Sequence, residues 1–324
     1  MTKTVFLSGC GGGYDLFGAL PYYFKIKAQG DCDITLINYT FTTRDLLTKY
    51  SRHLTTILYR VEPIQNTTWL TDEIYFPEQR LANEIQVPIY AILCNYQDTR
   101  IELIVEAYEY LIAKRTIDEI ILFDCGCDVL LTGKEQRLGT PVEDMSHARA
   151  VQLLSSNEVK SKYIAVIGTN IDAGHGVIQS DIDDRLAALA PGAIFTWSLQ
   201  YEHDEHVRRY VEIVSHCSPS HTIVHSLVCA ALQGHRGYYL PDHLKSRIHK
   251  SVVPLTDETC VCTGYHFDDV MRDNVHLKRL EAHMNLKQVY NTIYNRNEIS
   301  NDESSTKQIL SSLKNNKSEK CVIM

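Results

Sequence analysis

Thr4-Val5-Phe6-Leu7-Ser8-Gly9-Cys10-Gly11-Gly12-Gly13-Tyr14-Asp15 is the stretch that decides the fold. Its apolar run, residues 4–8, predicts a strand that stops in glycines. Residues 15–28 then place Leu16, Phe17, Leu20, Tyr23, Phe24 and Ala28 at helical spacing. Pro21 lies inside that stretch, so a kink or a later helix start is expected. Strand, glycine turn and helix in this order open an α/β domain. Four glycines allow positive φ and close approach of a ligand to the backbone. Free N–H groups at such a turn attract anions, typically phosphate. Gly9, Gly11, Gly12, Gly13 and Asp15 are therefore candidate ligand-binding residues. The spacing matches neither Gly-x-Gly-x-x-Gly nor a Walker loop. Tight strand–helix packing is the structural alternative for the glycines, and helix capping for Asp15.

The alternation continues outward from this turn. Strands are expected at residues 34–38, 89–94, 119–123, 163–168 and 194–199. Helices are expected at 99–113, 142–154, 179–190 and 206–215. Strands separated by helices predict a doubly wound, mostly parallel, Rossmann-like sheet with helices on both faces. Near-continuous apolar strands such as Ile120-Ile121-Leu122-Phe123 fit that burial. The α/β domain is expected over residues 1–295, with 40–85 as an insertion or a lid. Residues 296–324, rich in Asn, Ser, Lys and Glu, predict a flexible tail.

Three strand-end segments carry further candidates, because open α/β sheets bind ligands beyond the carboxyl ends of their strands. Asp124-Cys125-Gly126-Cys127-Asp128 offers two carboxylates around a glycine. Asp124 and Asp128 are candidates for binding Mg²⁺ or for acid and base roles, a cap and a turn former being the alternative. Gly139-Thr140-Pro141-Val142-Glu143-Asp144 opens a helix. Thr140 and Glu143 fit a capping box, and Asp144 is placed to reach the same cleft as Thr140. Gly168-Thr169-Asn170-Ile171-Asp172-Ala173-Gly174-His175 offers Asp172 as a ligand contact and His175 as the general acid/base.

These segments, with the run from Val224-His225-Ser226 to Gly234, resemble the family catalogued as domain of unknown function 1152, seen mainly in archaea and bacteria. The resemblance spans roughly residues 4–240. It implies a Rossmann-like fold and supplies no reaction. The family pattern has small residues at Cys125 and Cys127, which favours buried structural thiols there.

The terminal Cys321-Val322-Ile323-Met324 reads as a prenylation box in which Met favours farnesyl. It predicts a partner prenyltransferase, lipidation at Cys321, and residence on the cytosolic face of a eukaryotic membrane with a cytosolic pool. Lys314, Lys317 and Lys320 could add weak attraction to anionic lipid. A bacterial-type domain with a eukaryotic signal fits a secreted effector lipidated in its host, or a protist protein. The chain has no run of about 18 apolar residues. No signal peptide is expected ahead of the glycines. Ten cysteines therefore read as reduced thiols. A net charge of −8 without a basic stripe excludes nucleic acid as main partner. The expected function is a tethered transferase or hydrolase acting on a nucleotide or other phosphorylated ligand. The alternative is a non-catalytic membrane-anchored module that recruits a host protein.

Overall fold

The computed structural model describes residues 2–113, 116–174, 176–217, 222–246, 248 and 253–294. His175, Cys321 and the tail over 296–324 lie outside the described residues. Five strands form the parallel centre of a nine-stranded sheet. The glycine turn leads from β1 (Lys3–Gly9) into a 3₁₀ turn at Asp15–Ala19 and then α1 (Leu20–Gln29). The late start of α1 puts Pro21 in its first turn, where a missing N–H costs nothing. The next strand is β2 (Cys32–Thr40).

Residues 40–85 form α2 (Arg44–Tyr50), the short antiparallel strands β3 (Arg52–His53) and β4 (Leu58–Val61), and, after an irregular stretch, α3 (Pro77–Ile85). Chain order continues with β5 (Ile89–Leu93), α4 (Ile101–Ile112), β6 (Ile117–Cys125), α5 (Val142–Leu153) and β7 (Val159–Ile167). Then come α6 (Gln179–Leu189), β8 (Ala193–Ser198), α7 (Glu205–His216) and α8 (Ile223–Leu232). The described part closes with β9 (Val261–His266), α9 (Phe267–Met271) and α10 (Leu286–Tyr294).

The strand order is β3-β4-β5-β2-β1-β6-β7-β9-β8. From β1 the chain winds outward through β2 to β5, then returns to β6 and winds the other way to β7. Right-handed crossovers put α1 and α5 on opposite faces. Accordingly α1 packs with α7, whereas α5 packs with α4 and α10. The sheet core is continuous: Val5, Phe6 and Leu7 of β1 and Ile120, Leu122 and Phe123 of β6 are buried. Strand β8 departs from simple alternation. It reaches the sheet only through β9, antiparallel to it, and β9 is in turn antiparallel to β7. Winding direction reverses between β1 and β6. Their carboxyl ends mark the topological switch point, where such sheets usually form their ligand crevice.

Candidate functional site

Five aspartates meet at that crevice. Asp15 follows β1, Asp124 ends β6, and Asp128 begins a 3₁₀ turn behind it. Asp144 lies in the first turn of α5, and Asp172 in the 3₁₀ turn after β7. Ligand atoms of Asp15, Asp124 and Asp144 lie within 4.8 Å of one another, as do those of Cys127, Asp128 and Asp172. Asp124 and Asp144 are buried, and the other three are partly exposed.

The chain orients these carboxylates through its own amides. Asp15 Oδ2 accepts from Gly11 N (2.6 Å) and Asp124 Oδ2 from Val129 N (3.1 Å). Asp172 Oδ2 accepts from Cys127 N (2.5 Å). Asp128 Oδ2 accepts from Thr140 N (2.8 Å) and from the Thr140 hydroxyl (3.0 Å). Asp128 Oδ1 and Asp144 Oδ1 are buried without a hydrogen-bond partner among the described residues. Glycines clear the space. A Cβ on Gly11 would sit 2.6 Å from Asp144 Oδ1, and side chains on Gly126 and Gly139 would strike Asp172 and Asp128.

Electrostatically the crevice is unbalanced. None of the ion pairs among the described residues includes these aspartates or Glu143. Burial, then repulsion from Asp128, pushes Asp124 up to about 7. Burial raises Asp128 to about 6 and Glu143 to about 7. Asp15, Asp144 and Asp172 rise well above the usual carboxylate range, through burial first and neighbouring carboxylates second. Such a set of oxygens fits a hard divalent cation, which would restore their ordinary ionisation.

Several expectations change. Thr140 and Glu143 form no capping box: the Thr140 hydroxyl donates to Asp128, and Glu143 Oε1 accepts from the Tyr96 hydroxyl (2.6 Å). Asp15 closes the glycine loop on itself, since its carboxylate takes the Gly11 amide. Cys10 N is likewise used, by Phe123 O (2.8 Å). Gly12 and Gly13, at φ +98° and +69°, lie against the ring of Phe41, and Gly13 also against the Tyr75 hydroxyl, both from the 40–85 segment. Gly9 packs against Leu16 and Asn38.

Among the cysteines of the described residues only Cys127 joins a group with metal-ligand spacing. Burial holds Cys10, Cys125 and Cys127 protonated. Arg236 pairs with Asp257 (2.8 Å). A separate cleft lined by Lys3, Tyr22, Asp31, Cys32 and Glu119 opens at the amino ends of the strands and touches none of the five crevice aspartates.

Sequence reasoning missed the residues that hold the glycine loop. His147 Nδ1 is 3.0 Å from Cys10 O, and its Nε2 is 2.7 Å from the Tyr108 hydroxyl. His225 Nε2 is 2.9 Å from Tyr14 O, and its Nδ1 is 2.8 Å from the Tyr210 hydroxyl. Burial lowers both imidazoles to about 4, so each is neutral and donates its single N–H. Glu78, buried in α3, accepts from Asn38 Nδ2 (2.5 Å), which also donates to Gly13 O (2.8 Å). Tyr294 at the end of α10 donates to Gly139 O (2.8 Å).

Fold and crevice define a Rossmann-like α/β protein with an acidic centre at the topological switch point. The chain belongs to the family described as Protein of unknown function (DUF1152), whose model matches residues 44–302. The matched span includes Asp124, Asp128, Asp144 and Asp172 but begins after the glycine loop. No curated protein and no solved structure matches the chain. Among the described residues no helix is long and apolar enough to cross a membrane.

Proposed function

We propose that this protein is a divalent-cation-dependent enzyme that transfers or hydrolyses a phosphoryl-bearing group, with a nucleotide as the simplest ligand. One observation carries the reading: four aspartates each fix one oxygen on a backbone N–H at the switch-point crevice. This arrangement is how proteins orient carboxylates for a cation. Asp124 and Asp128 are its central ligands. A cation held there supplies charge neutralisation for a phosphoryl group and a water of lowered pKa. An anion would enter this acidic crevice only together with such charge. Without a cation Asp124 is held up to about 7, so cation binding there would displace its proton at neutral pH. Thr140, exposed at the rim, is placed to meet the ligand, and His175 remains the proposed acid/base.

Calorimetry and turnover with a nucleotide panel, with and without Mg²⁺, test this. Binding or turnover that needs Mg²⁺ and is lost in Asp124→Asn supports the enzyme. No response from any member removes it. The rival is a non-catalytic binding module. It draws on the aromatic cover over Gly12 and Gly13, which closes that side of the loop to a ligand. In that case Asp124→Asn keeps full activity in cells.

Lipidation of Cys321 is a separate proposal, with membrane tethering and a host-directed effector role resting on it. Mass spectrometry of the protein from eukaryotic cells should find a farnesyl group on Cys321, and Cys321→Ser should move it to the soluble fraction. An unmodified cysteine ends this part of the reading.

A further inference from the structure

The geometry points to two cation subsites side by side in the crevice, chemically unlike each other: an all-carboxylate one at Asp15, Asp124 and Asp144, and one at Asp128, Asp172 and the thiol of Cys127. This rests on the metal-dependent reading above and deepens it. The aspartates separate into two groups because each draws on a different loop pair. Asp15, from the loop after β1, and Asp144, from the first turn of α5, meet Asp124 at the end of β6. Asp172 comes from the loop after β7 and meets the turn of Cys127 and Asp128 beyond Gly126.

Each group has an unused oxygen. In the first it is Asp144 Oδ1, on a side chain only 4 % exposed, aimed at the space that Gly11 leaves open. In the second it is Asp128 Oδ1, an oxygen out of contact with solvent on a partly exposed side chain whose Oδ2 is held by Thr140. Three carboxylates without a softer donor select Mg²⁺ or Mn²⁺. A thiolate among the ligands shifts the second subsite toward Zn²⁺ and similar borderline ions. Cys127 is 1 % exposed, with Leu131, Val177 and Ile182 packed around it. That apolar wall shields the sulfur from solvent oxidants. Metal binding would release the thiol proton to solvent, since a coordinating thiol is deprotonated. Paired cations are suited to holding both the attacking and the leaving oxygen of an in-line displacement.

The test uses full-length protein stripped with a chelator and no substrate. Mn²⁺ is titrated alone by calorimetry. Cd²⁺ is then added, and thiolate-to-metal charge transfer is read in the ultraviolet. Wild type should bind Mn²⁺ and, with Mn²⁺ present, still develop the Cd–thiolate band. Cys127→Ser should lose that band and keep Mn²⁺ affinity. Asp144→Asn should keep the band and bind Mn²⁺ roughly 10- to 100-fold more weakly. Gly11→Ala should do the same with every carboxylate still in the chain. A Cd–thiolate band that persists in Cys127→Ser, or Cd²⁺ that fully displaces Mn²⁺, overturns the proposal. If only one cation binds and nucleotide turnover still requires it, this inference fails and the enzyme reading stands. If both bind and no nucleotide turns over, the enzyme reading fails and the two subsites stand.

Discussion

Gly11 and Asp144 occupy one space, and that pairing determines what each can become. A Cβ on Gly11 would lie 2.6 Å from Asp144 Oδ1 and 2.8 Å from Oδ2. Gly126 and Gly139 abut carboxylates too, but both hold positive φ, so alanine there also strains the backbone. Gly11→Ala is therefore the cleaner probe. It should cost about 1–3 kcal/mol by overpacking and move the Asp144 carboxylate away from Asp15 and Asp124. Chemical denaturation reads the first effect, and Mn²⁺ affinity the second.

Asp144→Asn should act oppositely on stability. It removes a carboxylate that burial and four neighbouring acids disfavour, so the metal-free protein should melt higher at pH 7.5 while responding less to Mn²⁺. Equal or lower melting would show that the crevice carboxylates are compensated in some other way. Acidic residues set for function at the expense of stability commonly behave this way. At this scale the sequence was informative about position. Asp15, Asp124, Asp128 and Asp172 follow predicted strand ends, which loop length and apolar runs locate well, and Asp144 falls in the first turn of a predicted helix. Their partners were hidden. Nothing local in Phe41 or Tyr75 says that it covers a glycine near residue 12. Thr140 fits a capping box until Asp128, twelve residues earlier, folds back to take its hydroxyl.

Two pairs of helices hold the glycine loop from opposite faces of the sheet. Tyr108 of α4 meets His147 of α5, which donates to Cys10 O. Tyr210 of α7 meets His225 of α8, which donates to Tyr14 O. Replacing His225 with Leu leaves the Tyr14 carbonyl and the Tyr210 hydroxyl buried without that partner, at a cost of about 1–3 kcal/mol. Faster amide exchange across residues 10–14 should accompany it; unchanged exchange would show that His147, Asp15 and Asn38 suffice to hold the loop.

Elements with long apolar periods, such as α4 and α7, were legible to within a residue or two. Strand β9 was not. Its central Gly264 is required because Phe195 of β8 packs where a side chain would go, and that glycine suppresses the strand signal. The pieces of 40–85 were missed for another reason: β3 has two residues and β4 four, too few for any period to register.

For the whole molecule, the concentration of unpaired acid at one crevice makes stability depend on pH in a direction that a cation reverses. Asp124, Asp128 and Glu143 titrate near 7, 6 and 7 in the fold, against ordinary values of 3.8, 3.8 and 4.5. A folded pKa above the unfolded one gives stability that is complete below the unfolded value and is lost as pH rises through the folded value. The metal-free protein should therefore weaken from about pH 4 to pH 7, and further as Asp15, Asp144 and Asp172 ionise. His147 and His225 act the other way. Their pKa values fall to about 4 from 6.5, so their contribution is full at neutral pH and is lost as pH drops toward 4. Two imidazoles oppose six carboxyls, and the carboxyls set the net slope. A divalent cation binds the ionised form, so its stabilisation must grow with pH as protons cease to compete for the ligands. Thermal melts at pH 5 and pH 8 should show little effect of Mn²⁺ at pH 5 and a rise of several degrees at pH 8. In EDTA the same protein should melt higher at pH 5 than at pH 8. Equal Mn²⁺ shifts at the two pH values would mean that the cation binds away from these carboxylates. In that event the crevice would be an acidic surface of the fold rather than its metal centre.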